Sequence, residues 1–367
     1  MAVIEEARRA RLEELSALKA AGQKVIGYLC IYAPVELIRA AGAIPVRLEH
    51  GGSDAERAGT KYVRSDACSF CKSCLGNFES DPLYRLTDAV VAVSTCDMMR
   101  RLPELIEHHF GQRVLQLYLP RTSEPLPHRV AELRRGLEQM RSELGEITGI
   151  PATDERVRAA TIETNRTRRL LRSLDEQRAR GELTTSRLLN LVSLAWFLDP
   201  AAVQGHDRNL PWISDRVPTA PATPHRPRLM LGGSMMTNDD LWLVELLEEK
   251  ADIVADFLCT GSRSFADDVP KTGDPMQGLA DFYFNRVPCM HRRPNAALYD
   301  YVRKLATERR VTGVVYKTLL YCDSWSFEAQ RLKAALEPLP FLHLDTDYSK
   351  ENHEQVRTRI EAFLEIL

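Results

Sequence analysis

Apolar runs of strand length alternate with amphipathic segments through the first third of the chain. The apolar runs are residues 24–32, 44–48, 88–94 and 114–119, and residues 1–22 carry apolar side chains at helical spacing up to Gly22. A regular alternation of helices and strands predicts βαβ units, in which the strands lie parallel. We therefore predict an N-terminal α/β domain over residues 1–126.

The pattern changes after residue 126. Long charged segments with helical periodicity follow at residues 130–144 and 154–178, and a shorter, more apolar one at 186–198. Closely spaced prolines then indicate a linker or a surface crossing. These prolines are Pro211, Pro218, Pro221, Pro224 and Pro227. We predict a helical segment and proline-rich linker over residues 127–227, which either bridges two α/β domains or covers their sheets.

A second α/β pattern occupies residues 228–367, with strand-like runs at 228–233, 252–258, 311–316 and 341–345. In each half an apolar strand leads into a Cys-Asp pair, Cys96-Asp97 and Cys322-Asp323. Ligands of open α/β sheets bind outside the carboxyl ends of the strands. The predicted fold class is α/β, with two doubly wound, parallel-sheet domains of Rossmann or flavodoxin type whose strand ends face a shared cleft.

Composition and charge narrow the classes of function. Apolar residues make up 44% of the chain and charged residues 27%, with a formal net charge of −2, so neither a nucleic-acid surface nor a membrane surface is expected. The first residues lack the apolar core of a signal peptide, and no apolar run has the length of a membrane span. We therefore expect a cytoplasmic protein.

A reducing compartment changes how the eight cysteines are interpreted, because thiols and metal ligands are then more common than disulfides. Cys68, Cys71 and Cys74 recur at a spacing of three, which lets one helix start present several sulfurs to a soft metal or an iron–sulfur cluster. A structural zinc site is the alternative, although its usual two cysteine pairs are missing. Cys30 and Cys259 are interpreted as core or near-site residues.

Several short motifs, in this order along the chain, resemble one family. It comprises the subunits of 2-hydroxyacyl-CoA dehydratases, of the 2-hydroxyglutaryl-CoA dehydratase D-component type, and of benzoyl-CoA reductases, together with the related double-cubane cluster proteins. The motifs are Gly42-Ala43-Ile44-Pro45-Val46-Arg47, the surroundings of Cys68, Ser94-Thr95-Cys96-Asp97, Asn285-Arg286-Val287-Pro288-Cys289, Leu320-Tyr321-Cys322-Asp323-Ser324-Trp325 and Asp345-Thr346-Asp347-Tyr348.

The resemblance implies a [4Fe-4S] cluster held by one cysteine from the Cys68 region, by Cys96 and by Cys322. It also implies a dimer with an identical chain or a paralogous subunit, and a separate ATP-hydrolysing iron–sulfur activase as electron donor. The sequence contains no GxxxxGK[ST] loop, which fits ATP hydrolysis by such a partner.

Three further thiols, Cys71, Cys74 and Cys289, bring the number of candidate ligands to six. Six thiolates suit two cubanes joined by a bridging sulfide, an [8Fe-9S] double cubane, and resemble the double-cubane branch. The leading expectation is thus a low-potential iron–sulfur reductase of a small substrate. The alternatives are a single-cluster subunit of a 2-hydroxyacyl-CoA dehydratase or benzoyl-CoA reductase acting on an acyl-CoA, and a non-catalytic zinc-binding scaffold.

Two residues outside the cysteine set are candidates for catalysis. His291 lies close to Cys289 in the sequence and could donate protons to a reduced substrate, while a surface position is equally open. Glu36 could line the pocket, although a structural role is also open for it.

Overall fold

The computed structural model describes residues 2–198 and 226–367, apart from the side chains of residues 2–4. The predicted proline-rich linker therefore lies outside the described residues except for its last two positions. Within the described ranges, every helix is too short or too polar to cross a bilayer.

The N-terminal lobe contains a four-stranded parallel sheet. Its strands are β1 (Val25–Tyr28), β2 (Ile44–Arg47), β3 (Ala89–Val93) and β4 (Val114–Leu117), in the spatial order β2-β1-β3-β4. Strands β1 and β3 are buried along their whole length, which explains their continuous apolar sequence. The helices of this lobe are α1 (Ala2–Ala20), α2 (Val35–Ala40), α3 (Ser53–Gly59), α4 (Ser69–Ser80), α5 (Pro82–Leu86) and α6 (Asp97–Phe110).

The C-terminal lobe repeats this arrangement. Its strands are β5 (Arg228–Gly233), β6 (Asp252–Asp256), β7 (Gly313–Leu319) and β8 (Phe341–Thr346), parallel and in the order β6-β5-β7-β8. Its helices, numbered after the three that connect the lobes, are α10 (Leu241–Glu248), α11 (Pro275–Asn285), α12 (Ala296–Glu308), α13 (Asp323–Ser326), α14 (Ala329–Ala335) and α15 (His353–Leu364). The predicted fold class, two Rossmann-like parallel sheets, is confirmed.

Three helices connect the lobes: α7 (Pro127–Thr148), α8 (Asp154–Ala179) and α9 (Thr185–Phe197). Helix α8 packs against α2 of the N-terminal lobe and against β6 of the C-terminal lobe, so it joins the two. The helical character of this part was expected from the sequence. The limits 1–126, 127–227 and 228–367 stay predictions.

Several element bounds differ from the expectation. The apolar run at residues 24–32 is a strand only as far as Tyr28, because the chain then turns, with the Ala33 amide donating to the Cys30 carbonyl at 3.0 Å. Helices α3 and α11 were not predicted. Helix α11 begins at Pro275, where Asp274 caps it by accepting from the Met276 amide.

Two buried ion pairs fix helix α8 to both lobes. Arg168 lies 2.7 Å from Glu36 of α2, and Arg178 lies 2.6 Å from Asp256 of β6. Burial lowers the pKa of each arginine, but the neighbouring carboxylates outweigh it and raise the pKa overall. All four side chains carry their charge away from water, so the buried charge of each is stabilised by the opposite charge of its partner.

We expect Arg168→Met to lower the free energy of unfolding by about 3–5 kcal/mol, because Glu36 then remains buried without a counter-charge. The double variant Glu36→Gln with Arg168→Met removes both charges and should recover much of that loss. The measurement is urea unfolding of the full chain. Arg303→Met is the control: Arg303 is half-exposed and pairs with Asp300, so its loss should change stability by about 0.5 kcal/mol or less. The expectation is contradicted if the double variant loses as much free energy of unfolding as Glu36→Gln and Arg168→Met lose together when made singly.

Candidate metal centre

A cavity of about 180 Å³ lies where the carboxyl ends of the two sheets face each other. Seven of the eight cysteines line it, from both lobes. Most of them follow a strand end by a few residues, as the rule for ligand sites in parallel sheets predicts. The seven are Cys30, Cys68, Cys71, Cys96, Cys259, Cys289 and Cys322.

Three of these cysteines occupy the position just before the first turn of a helix. Cys68 precedes α4, Cys96 precedes α6, and Cys322 precedes α13. The amide groups at a helix start have no partner within the helix and can donate to a thiolate. The Met99 amide does so to the Cys96 sulfur at 3.5 Å. These starts therefore stabilise negative charge on sulfur.

The thiols of Cys68, Cys71 and Cys322 contact one another. Hydrogen bonds donated by Cys322 and Cys71 hold the pKa of Cys68 well below its usual value. The pKa values of Cys71 and Cys322 are raised, because each donates to Cys68 and each is buried. Cys96 joins this group: burial raises its pKa to about 11, with a contribution from Cys68. Negative charge in this group is therefore favoured on Cys68 over its neighbours.

Cys30, Cys259 and Cys289 form a second group. Burial raises the pKa of Cys30 to about 12, and the nearby thiols of Cys289 and Cys259 add to this rise. Burial also raises the pKa of Cys259, where Cys289 again contributes. Cys96 links the two groups, because the Cys289 thiol also raises the pKa of Cys96. The cavity therefore holds two sets of sulfurs side by side.

A direct bond between the lobes aligns the first group. The amide of Ser69 donates to the Leu320 carbonyl at 3.2 Å, which brings the start of α4 against the loop before Cys322. On the other side, Arg47 of β2 donates to the Cys259 carbonyl at 3.1 Å. Both groups of cysteines thus lie on loops that are fixed from the opposite lobe.

His291 lines the same cavity, as predicted for a proton donor near Cys289. Its Nε2 atom is buried and has no hydrogen-bond partner among the described residues. Burial lowers the pKa of His291 to about 3, and the cations Arg292 and Arg263 act in the same direction. The imidazole is therefore neutral in this environment and has one nitrogen available to a bound molecule.

Two predicted site residues lie away from the cavity. Cys74 is fully buried in an apolar cluster near Tyr84, where burial raises its pKa. Glu36 is fully buried beneath α8, where it pairs with Arg168 and accepts from the Tyr283 hydroxyl at 2.7 Å. These contacts account for a structural role of Glu36, the alternative that the sequence left open.

Sequence reasoning placed Cys30 and Cys259 outside the ligand set and did not consider Arg47 or Arg263. All four line the cavity. Their position after a strand could have indicated the two cysteines. Cys30 follows β1 and Cys259 follows β6, in the same way that Cys96 follows β3 and Cys322 follows β7. Arg47 ends one of the family motifs, although that motif was not interpreted as part of the site, and Arg263 lies in none of them.

The fold and the cavity define a two-lobed α/β protein with a sulfur-lined site at the shared strand edge. Among residues 2–198 and 226–367, no three His, Cys, Asp or Glu side chains are grouped as one metal ion would need. The family profile described as "2-hydroxyglutaryl-CoA dehydratase, D-component" matches residues 30–367. The chain belongs to this family of enzymes, as its motifs predicted.

Curated relatives cover almost the whole chain at low identity. The putative dehydratase subunit YjiM of Escherichia coli is 26% identical over 99% of this chain and 96% of its own. The (R)-phenyllactyl-CoA dehydratase beta subunit of Clostridium sporogenes is 24% identical over 94% of this chain and 92% of its own. One of the benzoyl-CoA reductase subunits of Thauera aromatica is 25% identical over 82% of this chain and 79% of its own.

The position of Cys68 depends on close packing of α3 against α4. A Cβ atom at Gly76 would lie 1.9 Å from the Ala55 carbonyl oxygen, and one at Gly59 would lie 1.8 Å from the Lys72 carbonyl oxygen. The two backbones can approach this closely only because both positions are glycine. Lys72 of α4 also pairs with Glu56 of α3 at 2.8 Å.

We expect Gly76→Ala to lower the free energy of unfolding by about 1–3 kcal/mol, because the methyl group forces α4 away from α3. Gly145→Ala in α7 is the matched control. Its Cβ would meet nothing closer than 3.5 Å, so the better helix propensity of alanine should leave stability equal or up to about 1 kcal/mol higher. Thermal or urea unfolding of both variants checks this, and equal stability of the two would refute it.

Proposed function

We propose that this chain is a low-potential iron–sulfur reductase subunit that holds two cubane clusters between its lobes. The observation that carries the proposal is the division of the cavity cysteines into two neighbouring sets. Cys68, Cys96 and Cys322 would bind one cubane, and Cys30, Cys259 and Cys289 the other. Cys71, which the sequence grouped with Cys68 and which also lines the cavity, is the alternative ligand, whereas Cys74 lies away from the cavity.

The donor set fits an iron–sulfur group. Thiolates are the usual ligands of such clusters, and these thiols are buried or half-buried, an amide donates to the sulfur of Cys96, and neighbouring thiols lower the pKa of Cys68. Sulfurs spread over several loops suit a cluster of many atoms rather than a single ion. When bound, the group would supply electrons one at a time at low potential.

The chain's own residues would exclude water and orient a small substrate. The cavity wall includes apolar side chains such as Leu29 and Met99, which limit solvent access to the sulfurs. His291 offers its free Nε2 to a polar atom of the substrate; because its imidazole is neutral, we propose that it orients the substrate and does not donate the proton. Glu36, the other predicted catalytic residue, contributes by positioning α2 under α8.

Partners follow from the same proposal. An ATP-hydrolysing iron–sulfur activase would deliver the electrons, because this sequence has no phosphate-binding loop of its own. Relatives that are named as single subunits of a dehydratase and of a benzoyl-CoA reductase support assembly with a second chain, identical or paralogous. A reducing compartment such as the cytoplasm keeps buried thiols free for iron.

A second candidate function is that of the single-cluster subunit of a 2-hydroxyacyl-CoA dehydratase or benzoyl-CoA reductase. The observation in its favour is that only Cys68, Cys96 and Cys322 occupy helix starts. One cubane would then leave room in the cavity for the thioester carbonyl of an acyl-CoA. A zinc-binding scaffold is the third outcome, and it would be colourless.

Iron and sulfide analysis of anaerobically purified protein separates these functions. Two cubanes predict about eight iron atoms per chain and one cubane about four, with a brown colour in either case. We expect Cys259→Ala to lose about half of the iron and Cys74→Ala to lose none, because only Cys259 lines the cavity. About four iron atoms per wild-type chain would exclude the second cubane, full iron content in Cys259→Ala would exclude Cys259 as a ligand, and zinc without iron would exclude both iron–sulfur functions.

A further inference from the structure

Arg263 is a buried cation in the wall of the cysteine cavity. It lies in the single 3-10 turn Ser262–Ser264 after β6, and its side chain is 1% exposed. The guanidinium stacks 5.6 Å from the ring centre of Trp325, and Nη2 approaches the Val287 carbonyl at 3.5 Å. Its Nε and Nη1 atoms are buried and have no hydrogen-bond partner among the described residues.

Several other buried arginines have a carboxylate partner, whereas the buried Arg286 and Arg292 donate, within the described part of the chain, only to backbone carbonyls. Arg168 and Arg178 each pair with a buried carboxylate, and Arg47 lies 3.1 Å from Glu49. Within residues 2–198 and 226–367, no carboxylate forms an ion pair with Arg263. A buried charge without a partner is strongly unfavourable, so its neighbours need to supply negative charge.

The neighbours of Arg263 are thiols. Burial lowers the pKa of Arg263, but Cys289, Tyr32 and Cys259 outweigh it and raise the pKa overall. On the opposite side of the cavity, Lys72 already pairs with Glu56. Arg263 therefore places an unpaired positive charge beside Cys259 and Cys289 and not beside Cys68.

We propose that Arg263 is a positioning residue that supplies the counter-charge for the sulfur-ligated group and raises the reduction potential of the half beside Cys30, Cys259 and Cys289. The inference rests on the two-cubane function proposed above. Negative charge lowers the potential of an iron–sulfur cluster, and a fixed cation with free N–H groups opposes this. One electron supplied by the activase would then reside mainly on the half beside Arg263.

The test compares Arg263→Lys with Arg263→Met, two unbranched side chains that differ in charge. Anaerobic, iron-loaded protein is titrated with a low-potential chemical reductant and followed by electron paramagnetic resonance. We expect Arg263→Met to shift the ratio of reduced to oxidised cluster at least tenfold toward the oxidised form, which is about 59 mV for one electron. Arg263→Lys should stay close to the wild-type value.

Arg121→Met controls for the removal of one cation. Arg121 is 62% exposed and pairs with Asp97, so water screens its charge and the potential should not change. An unchanged potential in Arg263→Met, or the same shift in Arg263→Lys, overturns the inference while the iron content still supports the proposed function. Absence of iron from the wild type overturns both.

Melting temperature of the metal-free full-length chain provides the second readout. Arg263→Met removes a buried charge that has no partner there, so the metal-free variant should melt at the wild-type temperature or above. If Arg263 had only a structural role, its loss would also lower the melting temperature of the metal-free chain. A lower melting temperature of metal-free Arg263→Met therefore overturns the inference. Iron loss in Arg263→Met with iron retained in Arg263→Lys supports it.

Discussion

The geometry of the cysteine cavity depends on two buried ion pairs along one helix. Arg168 and Arg178 lie ten residues apart on α8, about 15 Å along its axis, and each holds a carboxylate of a different lobe. Asp256, the partner in the C-terminal lobe, also accepts from the Ser262 amide at 2.8 Å. The same carboxylate thus fixes the distance between the lobes and shapes the loop that carries Cys259.

Burying several thiols together creates an electrostatic problem, which the protein solves with three kinds of donor. Helix-start amides face sulfur at Cys96, neighbouring S–H groups donate to Cys68, and guanidinium groups lie beside Cys259. The first two act on one side of the cavity and the third on the other. The two sets of sulfurs are therefore chemically distinct, although the sheets that carry them have the same strand order.

Much of the fold could be predicted because buried parallel strands are continuous apolar runs that helical crossover connections separate. Helix α3 was missed because Ser53–Gly59 is mostly polar, and α11 because Pro275–Asn285 is buried on nearly all sides, which removes the amphipathic pattern. The Cys-Asp pairs indicated the strand ends correctly. The position of Cys74 away from the cavity could not be predicted, because it depends on which face of α4 meets the other lobe.

The order of the cavity cysteines along the chain also constrains how the protein matures. Cys30, Cys68 and Cys96 are translated early, while Cys259, Cys289 and Cys322 come from the last third. During synthesis the early thiols stand at an open sheet edge that the second lobe has yet to cover. A group held by Cys30, Cys259 and Cys289 can be retained only after the ribosome has passed residue 289, and one held by Cys68, Cys96 and Cys322 only after residue 322, so loading follows synthesis of the strands of both lobes that precede these cysteines.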